Sequence, residues 1–262
     1  MAHLKPAAAT VVGPARASGP ASAAGAPSDA EQGGAQRTFD LATTSLRELN
    51  QFLHRRAQSE GVTRVSVAHP DGAHSIACGL DAPLEVDIQG HVGYYVAGMN
   101  KSAHVTVHGN AGPGAAENMM SGRVHIRGFA STAAGASAHG GLLIVDGDAS
   151  LRCGISLKGG DIVVGGSVGS FSAFMAQAGR IVVCGDAGDA LGDSLYEAVI
   201  YVRGKIRSLG ADARVEPMTD ADHATLRELL AAAGFDHDAR EFQRIASAKS
   251  LYHWHADADQ EY

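Results

Sequence analysis

Residues 142–147 run Leu-Leu-Ile-Val-Asp-Gly, residues 161–166 run Asp-Ile-Val-Val-Gly-Gly, and residues 180–185 run Arg-Ile-Val-Val-Cys-Gly. Each segment is displaced from the previous one by nineteen residues, and each ends on glycine. Followed outward in both directions, the same spacing gives Gly90, Gly109, Gly128, Gly147, Gly166, Gly185 and Gly204 without an insertion or deletion. A period this regular is one supersecondary unit stacked on itself.

Four and two positions before the glycines stand Val86 and Ile88, Val105 and Val107, Val124 and Ile126, Leu143 and Val145, Ile162 and Val164, Ile181 and Val183, and Ile200 and Val202. Alternation of β-branched residues places each pair on one face of a strand. Nineteen residues leave no room for a strand plus a long crossover helix. Small residues recur seven positions after each glycine (Ala97, Ala116, Gly135, Gly154, Ala173, Gly192) and thirteen after (Ala103, Gly122, Gly141, Gly160, Gly179, Ala198). Three small corners per repeat fit a chain that bends, runs and bends again. The expected fold is all-β: a right-handed parallel β-helix of about seven nineteen-residue coils, with flanking N- and C-terminal helices. At about 4.8 Å per coil the rod is roughly 30 Å long.

Composition narrows the function. Only 5% of the residues are aromatic, too few for a platform that stacks sugars or single-stranded bases. A net charge of −7 gives no electrostatic reason for nucleic acid or an anionic membrane as partner. No run approaches the about 18 consecutive apolar residues of a membrane span. Cys78, Cys153 and Cys184 are an odd number without CxxC spacing, which suggests neither a disulfide framework nor a metal cluster. A reducing cytoplasm is the expected location.

Four parts are expected. Residues 1–38 are rich in Ala, Pro, Gly and Ser, lack periodicity, and are assigned as a disordered tail rather than a signal or transit peptide. Residues 39–83 are assigned as a helix and hairpin cap. Ser45 and Glu48 form a capping box opening a helix over 45–59, Arg64–Ala68 is a strand, and Ser75–Cys78 returns after the turn Pro70-Asp71-Gly72. Residues 84–215 are the β-helix. Residues 216–262 hold a helix from Asp220 to Gly234, a further helix over 238–247 using Phe242 and Ile245, and a tail whose Leu251, Tyr252 and Trp254 need an apolar dock.

No catalytic, cofactor-binding or metal-binding residue is assigned in this chain. His104, His108, His125 and His139 invite a zinc site of the kind found on β-helix carbonic anhydrases, but no column stacks histidine on histidine. No nucleotide fingerprint GxGxxG occurs, and the acidic residues form no column.

The outward positions three before each glycine read Asp87, Thr106, His125, Ile144, Val163, Val182 and Tyr201. The last four form an apolar strip that the C-terminal helices or another subunit must cover. The loop residues Tyr95, Met99 and Asn100, with Glu117, Asn118 and Met119, combine methionines and amides in a way that suits an adaptable partner surface. All ten of these residues are candidates for a partner interface.

Several phrases carry a resemblance: Gly109-Asn-Ala-Gly112, Ala116-Glu-Asn-Met-Met-Ser-Gly122, Gly140-Gly-Leu-Leu-Ile-Val-Asp-Gly-Asp-Ala-Ser150, Arg152-Cys-Gly-Ile-Ser-Leu-Lys158 and Gly185-Asp-Ala-Gly188. Over about residues 80–215 the chain resembles the GXGXG domain of the glutamate synthase large subunit. As a separate chain it is similar to the small β-helix subunit family of N-methylglutamate synthase. That resemblance implies a non-catalytic scaffold linking a class II amidotransferase-like subunit to a synthase-like subunit that carries FMN and an iron–sulfur cluster. The implied reaction is methylamine and glutamate to N-methylglutamate and ammonia. The start Met1-Ala2-His3 lacks the amino-terminal Cys of an amidotransferase, and no cysteine group could hold a cluster. Two alternatives remain: the β-helix subunit of formylmethanofuran dehydrogenase or the formyltransferase–hydrolase complex, and an independent β-helix enzyme.

Overall fold

A chain that repeats every nineteen residues can pair each strand with its own image one coil on, and it does. The computed structural model of the protein describes residues 34–249. One sheet contains β1 (Ala35–Asp40), β2 (Val62–Ala68), β3 (Glu85–Gln89), β4 (His104–Val107), β5 (Arg123–Ile126), β6 (Leu142–Val145), β7 (Lys158–Val164), β8 (Ala178–Val183) and β9 (Val199–Val202) in chain order, then β11 (Gln243–Ser247) and finally β10 (Ala213–Glu216). All neighbours from β1 to β9 are parallel. Val86, Val105, Val124, Leu143, Ile162, Ile181 and Ile200 align in one buried file. A second line of parallel bridges joins Val92, Ala111, Ala130, Ala149, Val168, Ala187 and Ile206, so every coil is held on two sides. The result is a right-handed parallel β-helix, the hand that parallel crossovers take. Coils are numbered 1 to 7 by their glycines, from Gly90 to Gly204.

The glycine file is required by close approach. A Cβ built on Gly109 would lie 2.6 Å from the backbone of Gly90, and one on Gly204 would lie 2.4 Å from the carbonyl oxygen of Gly185. The corner positions differ, because there the backbone itself is left-handed. Alternate residues in each turn have positive φ: Tyr95, Ala97 and Met99 in coil 1 (60°, 50° and 57°), and Phe171, Ala173 and Met175 in coil 5 (58°, 59° and 53°). Their amides point alternately up and down the rod. Tyr95 and Met99 donate to Pro113 and Glu117 of the next coil, while Ala97 donates to Ile76 of the one before. Each left-handed non-glycine residue costs about 1 kcal/mol or more, offset here by amides that would otherwise be buried without partners.

One further ladder follows the same period. His91, Asn110, Asp148, Ser167 and Asp186 use their side chains to accept the backbone N–H nineteen residues on, at 2.7–3.0 Å.

The ends of the rod are closed by special pieces. Helix α1 (Leu46–Arg55) has the expected capping box at Ser45 and Glu48, and it buries Leu49, Phe52 and Leu53. Asn50 supplies what a preceding coil would have supplied: its Oδ1 accepts from Ala77 N (3.1 Å) and its Nδ2 donates to Ser75 O (3.0 Å). At the other end, β11 lies antiparallel on β9 with Ile245 opposite Ile200, and β10 closes the sheet with the charged side chains of Arg214 and Glu216. A charged final strand discourages edge-to-edge growth.

Four expectations are corrected. Strand β1 begins at Ala35, inside the segment assigned to a tail ending at 38; residues 1–33 lie outside the described residues, as do Leu251, Tyr252 and Trp254. The hairpin does not form. β2 pairs in parallel with β1 and β3, displaced from β3 by twenty-one residues (Val65 to Val86), and Ser75, Ala77 and Gly79 adopt the same alternating positive φ as the later turns. The extra two residues hid this coil from the nineteen-residue period. The segment 238–247 is a short 3-10 turn (Ala239–Glu241) followed by strand β11, because the unpaired edge of β9 offers backbone partners that outweigh helical spacing. The fourth correction concerns the apolar strip. Ile144, Val163, Val182 and Tyr201 are buried beneath α2 (Asp220–Ala233), which covers them with Leu226, Leu229 and Leu230, joined by Phe242. They are an internal second core and not a partner surface.

Helix α2 is anchored at its start. Tyr201 Oη donates to Asp222 (2.7 Å), which also receives Arg244, and burial pushes the Tyr201 phenol up.

Two stability predictions follow from the packing. Gly109→Ala should destabilise by about 2 kcal/mol or more in urea unfolding, and more than Gly147→Ala, where the nearest backbone atom is 3.0 Å from the added Cβ. Leu226→Ala should cost about 2–5 kcal/mol; an unchanged melting temperature would mean that α2 is not seated on the strip.

Candidate functional site

Two faces of the rod carry the remaining side chains of interest: the turns, and the outward strand face of the early coils. On the strand face, positions two apart along one strand and nineteen apart between strands bring acids and bases together. His108 Nε2 lies 3.2 Å from Asp87, and His125 Nε2 lies 2.6 Å from Asp146, which also meets Arg127 at 3.5 Å. Farther along, Arg180 grips Asp161 through two hydrogen bonds of 2.6 and 2.8 Å. His125, expected as an exposed polar residue, is only 4% exposed. Burial lowers its basicity more than the Asp146 hydrogen bond raises it. These pairings satisfy the ionisable groups by each other, which is structural work.

Among the described residues, no three His, Cys, Asp or Glu side chains are grouped to hold a metal ion. His104 and His139 are exposed on different parts of the coil. The thiols are poor nucleophiles: burial pushes Cys153 up to about 12 and Cys184 up to about 11, and raises Cys78 as well. An open depression runs along α1, lined by Arg47, Asn50 and His54, and no nucleophile–base pair lines it. No helix among the described residues is long and apolar enough to cross a membrane.

The turn face is different. Tyr95 and Met99 are 44% and 54% exposed in coil 1, and Phe171 and Met175 are 44% and 49% exposed in coil 5. Glu117 and Asn118 stand half-buried between them in coil 2. Of the six loop candidates, four therefore lie at the surface. Asn100 and Met119 do not, being 0% and 1% exposed. They belong to an interior file continued by Ala138, Leu157, Ala176 and Leu195. Asn100 is the polar member of that file: its Nδ2 donates to Ala103 O and Ser121 O, tying coil 1 to coil 2, and its Oδ1 is buried without a partner. Sequence reasoning missed Phe171 and Met175, although they repeat the aromatic-x-Ala-x-Met pattern of Tyr95–Met99 seventy-six residues on.

No protein-family model matches the chain. The chain is 54% identical over 220 residues to Protein GlxC of Rhizobium meliloti (strain 1021), covering 84% of this chain and 96% of GlxC. It belongs to the GlxC family. Identity this high across nearly the whole of GlxC spans more than the coil glycines alone. It takes in the coils together with at least part of the end pieces, since 220 residues exceed the span from Glu85 to Glu216.

The buried His125 gives a pH prediction. Its unfolded pKa is about 6.5 and its folded pKa is lower, so the unfolded chain takes up a proton first as pH falls. Stability contributed by neutral His125 is present above about pH 6.5 and is lost as pH drops below it. His125→Gln should therefore show a flatter loss of unfolding free energy between pH 7.5 and 5.5 than the parent in urea titrations. Parallel slopes would show that His125 is not held neutral.

Proposed function

We propose that this chain is a non-catalytic scaffold subunit of a heteromeric glutamate-synthase-like complex, and specifically of an N-methylglutamate synthase. The observation that carries the reading is the coil itself. Its phrases between residues 80 and 215 resemble the GXGXG domain of glutamate synthase, and its interior is filled with aliphatic side chains rather than opened into a cleft. Membership of the GlxC family is compatible with this reading and names no reaction.

The physical role follows from stiffness. Each coil is held to the next by two lines of parallel pairing, and the side-chain ladder adds a tie at every step from His91 to Lys205 except that from Phe129 to Asp148. A rod held in this way keeps two attached modules at a fixed separation, which favours transfer of a reactive amine between them over loss to water. In this reading the amidotransferase-like partner and the synthase-like partner, which would carry FMN and the iron–sulfur cluster, supply the chemistry. The cytoplasm is the location that such a complex implies.

The test is co-purification of the tagged full chain from its native host, with identification of the accompanying chains and assay with methylamine and glutamate. The expected result is an amidotransferase-like chain and a flavin-containing chain in fixed ratio, with turnover by the complex and none by the isolated chain. Turnover by the isolated chain would overturn the scaffold reading.

A further inference from the structure

The turn face carries a symmetry that the proposed scaffold role does not use. Backbone hydrogen bonds from coil to coil stack Tyr95, Gly114, Ala133, Arg152 and Phe171 in one file, and Met99, Asn118, Ser137, Ser156 and Met175 in a parallel one. Over coils 1 to 5 each file has a large apolar residue at both ends and a small one at its centre. The first runs from Tyr to Phe and the second from Met to Met, with coil 3 at the centre of each. At about 4.8 Å per coil the two aromatic ends are some 19 Å apart. The end residues leave their side chains 44–54% exposed, and the two rings pack edge-on only against a neighbour in their own turn, Tyr95 on Tyr94 at 5.4 Å and Phe171 on Phe174 at 6.3 Å.

Charge completes the pattern. In coil 2 the Glu117 carboxylate lies on the first file: a Cβ built on Gly114 would be 2.7 Å from the Tyr95 ring and 2.9 Å from Glu117 Oε2. In coil 4 the exposed Arg152 occupies the same file. Neither makes an ion pair among the described residues.

We propose that this face is a self-association surface, on which a second copy of the chain packs with its rod antiparallel to the first. The two-fold axis lies in the interface and crosses the turn of coil 3 at Ala133 and Ser137. Such an axis exchanges coil 1 with coil 5 and coil 2 with coil 4, so every contact is made twice. Tyr95 then meets Phe171 of the second copy, Met99 meets its Met175, and Glu117 meets its Arg152. The small side chains of coil 3 let the two backbones approach at the axis. A parallel arrangement of rods would instead place each coil against the same coil and the first file against the second, so that Arg152 faces Ser156 and never meets Glu117. The charges therefore select the antiparallel one.

The experiment is sedimentation equilibrium on the full chain at ~50 µM, a concentration that populates a modest interface. The parent is expected to be dimeric. Glu117→Arg and Arg152→Glu should each weaken the dimer at least 10-fold, and the double variant should recover most of that loss, since the pair is rebuilt with its signs exchanged. Each variant's melting temperature in its monomeric state should match the parent's, because both side chains are outside the core. Ala133→Cys should form an intermolecular disulfide under mild oxidation. A monomeric parent, a dimer indifferent to the single reversals, or a double variant no better than the singles would each overturn the proposal. A face that is monomeric alone and protected only by a different chain in the native complex would overturn it too. That outcome would leave the scaffold reading standing, so the two failures are distinguishable.

Discussion

One spacing governs this molecule: each coil must lie one backbone hydrogen bond from the next along the whole rod. About 4.8 Å between coils leaves room for side chains that point inward or outward, and none for a side chain that points along the rod. Glycine at the end of each strand is the consequence. At Gly109, Gly128, Gly185 and Gly204 a Cβ would fall within 2.8 Å of the coil below. The aliphatic file from Val86 to Ile200 follows from the same spacing, since residues nineteen apart must tolerate direct contact with their own kind.

Two consequences separate the middle of the rod from its ends. In the middle, strand and left-handed turn amides bond to the neighbouring coil, and others, such as Glu117 to Gly114 and Ile155 to Arg152, close within their own turn. At the ends of the described rod, dedicated groups take the place of a neighbouring coil. The Asn50 amide completes the first turn, and β11, running in the opposite direction, completes the last strand. The outward face divides similarly. Coils 1 to 3 balance their surface with His–Asp and Arg–Asp pairs, whereas coils 4 to 7 hide theirs under α2.

The parts of the sequence that were legible were those under the periodic constraint. Fourteen aliphatic positions and seven glycines specify strand and register, because any other register would leave the files out of contact. The capping box at Ser45 was legible, because a cap is local. The coil built on β2, before coil 1, was not, because its twenty-one-residue displacement breaks the period while its backbone follows the same path. Phe171 and Met175 were also missed, since exposure distinguishes them from core residues and periodicity does not.

The sequence by itself determined the nineteen-residue coil and its largely aliphatic interior, because identical neighbours at fixed spacing stack in register. Only the tertiary structure decided what lies outside that stack. It turned the apolar strip of Ile144, Val163, Val182 and Tyr201 into a second core under α2, and it moved Asn100 and Met119 inside. It recast Phe242 and Ile245 as parts of a closing turn and strand, and it placed Tyr95, Met99, Phe171 and Met175 on one open face. The reason is physical: a helix or strand beyond the repeat settles wherever it covers most apolar surface and most unpaired backbone, and that choice depends on the assembled rod rather than on its own residues.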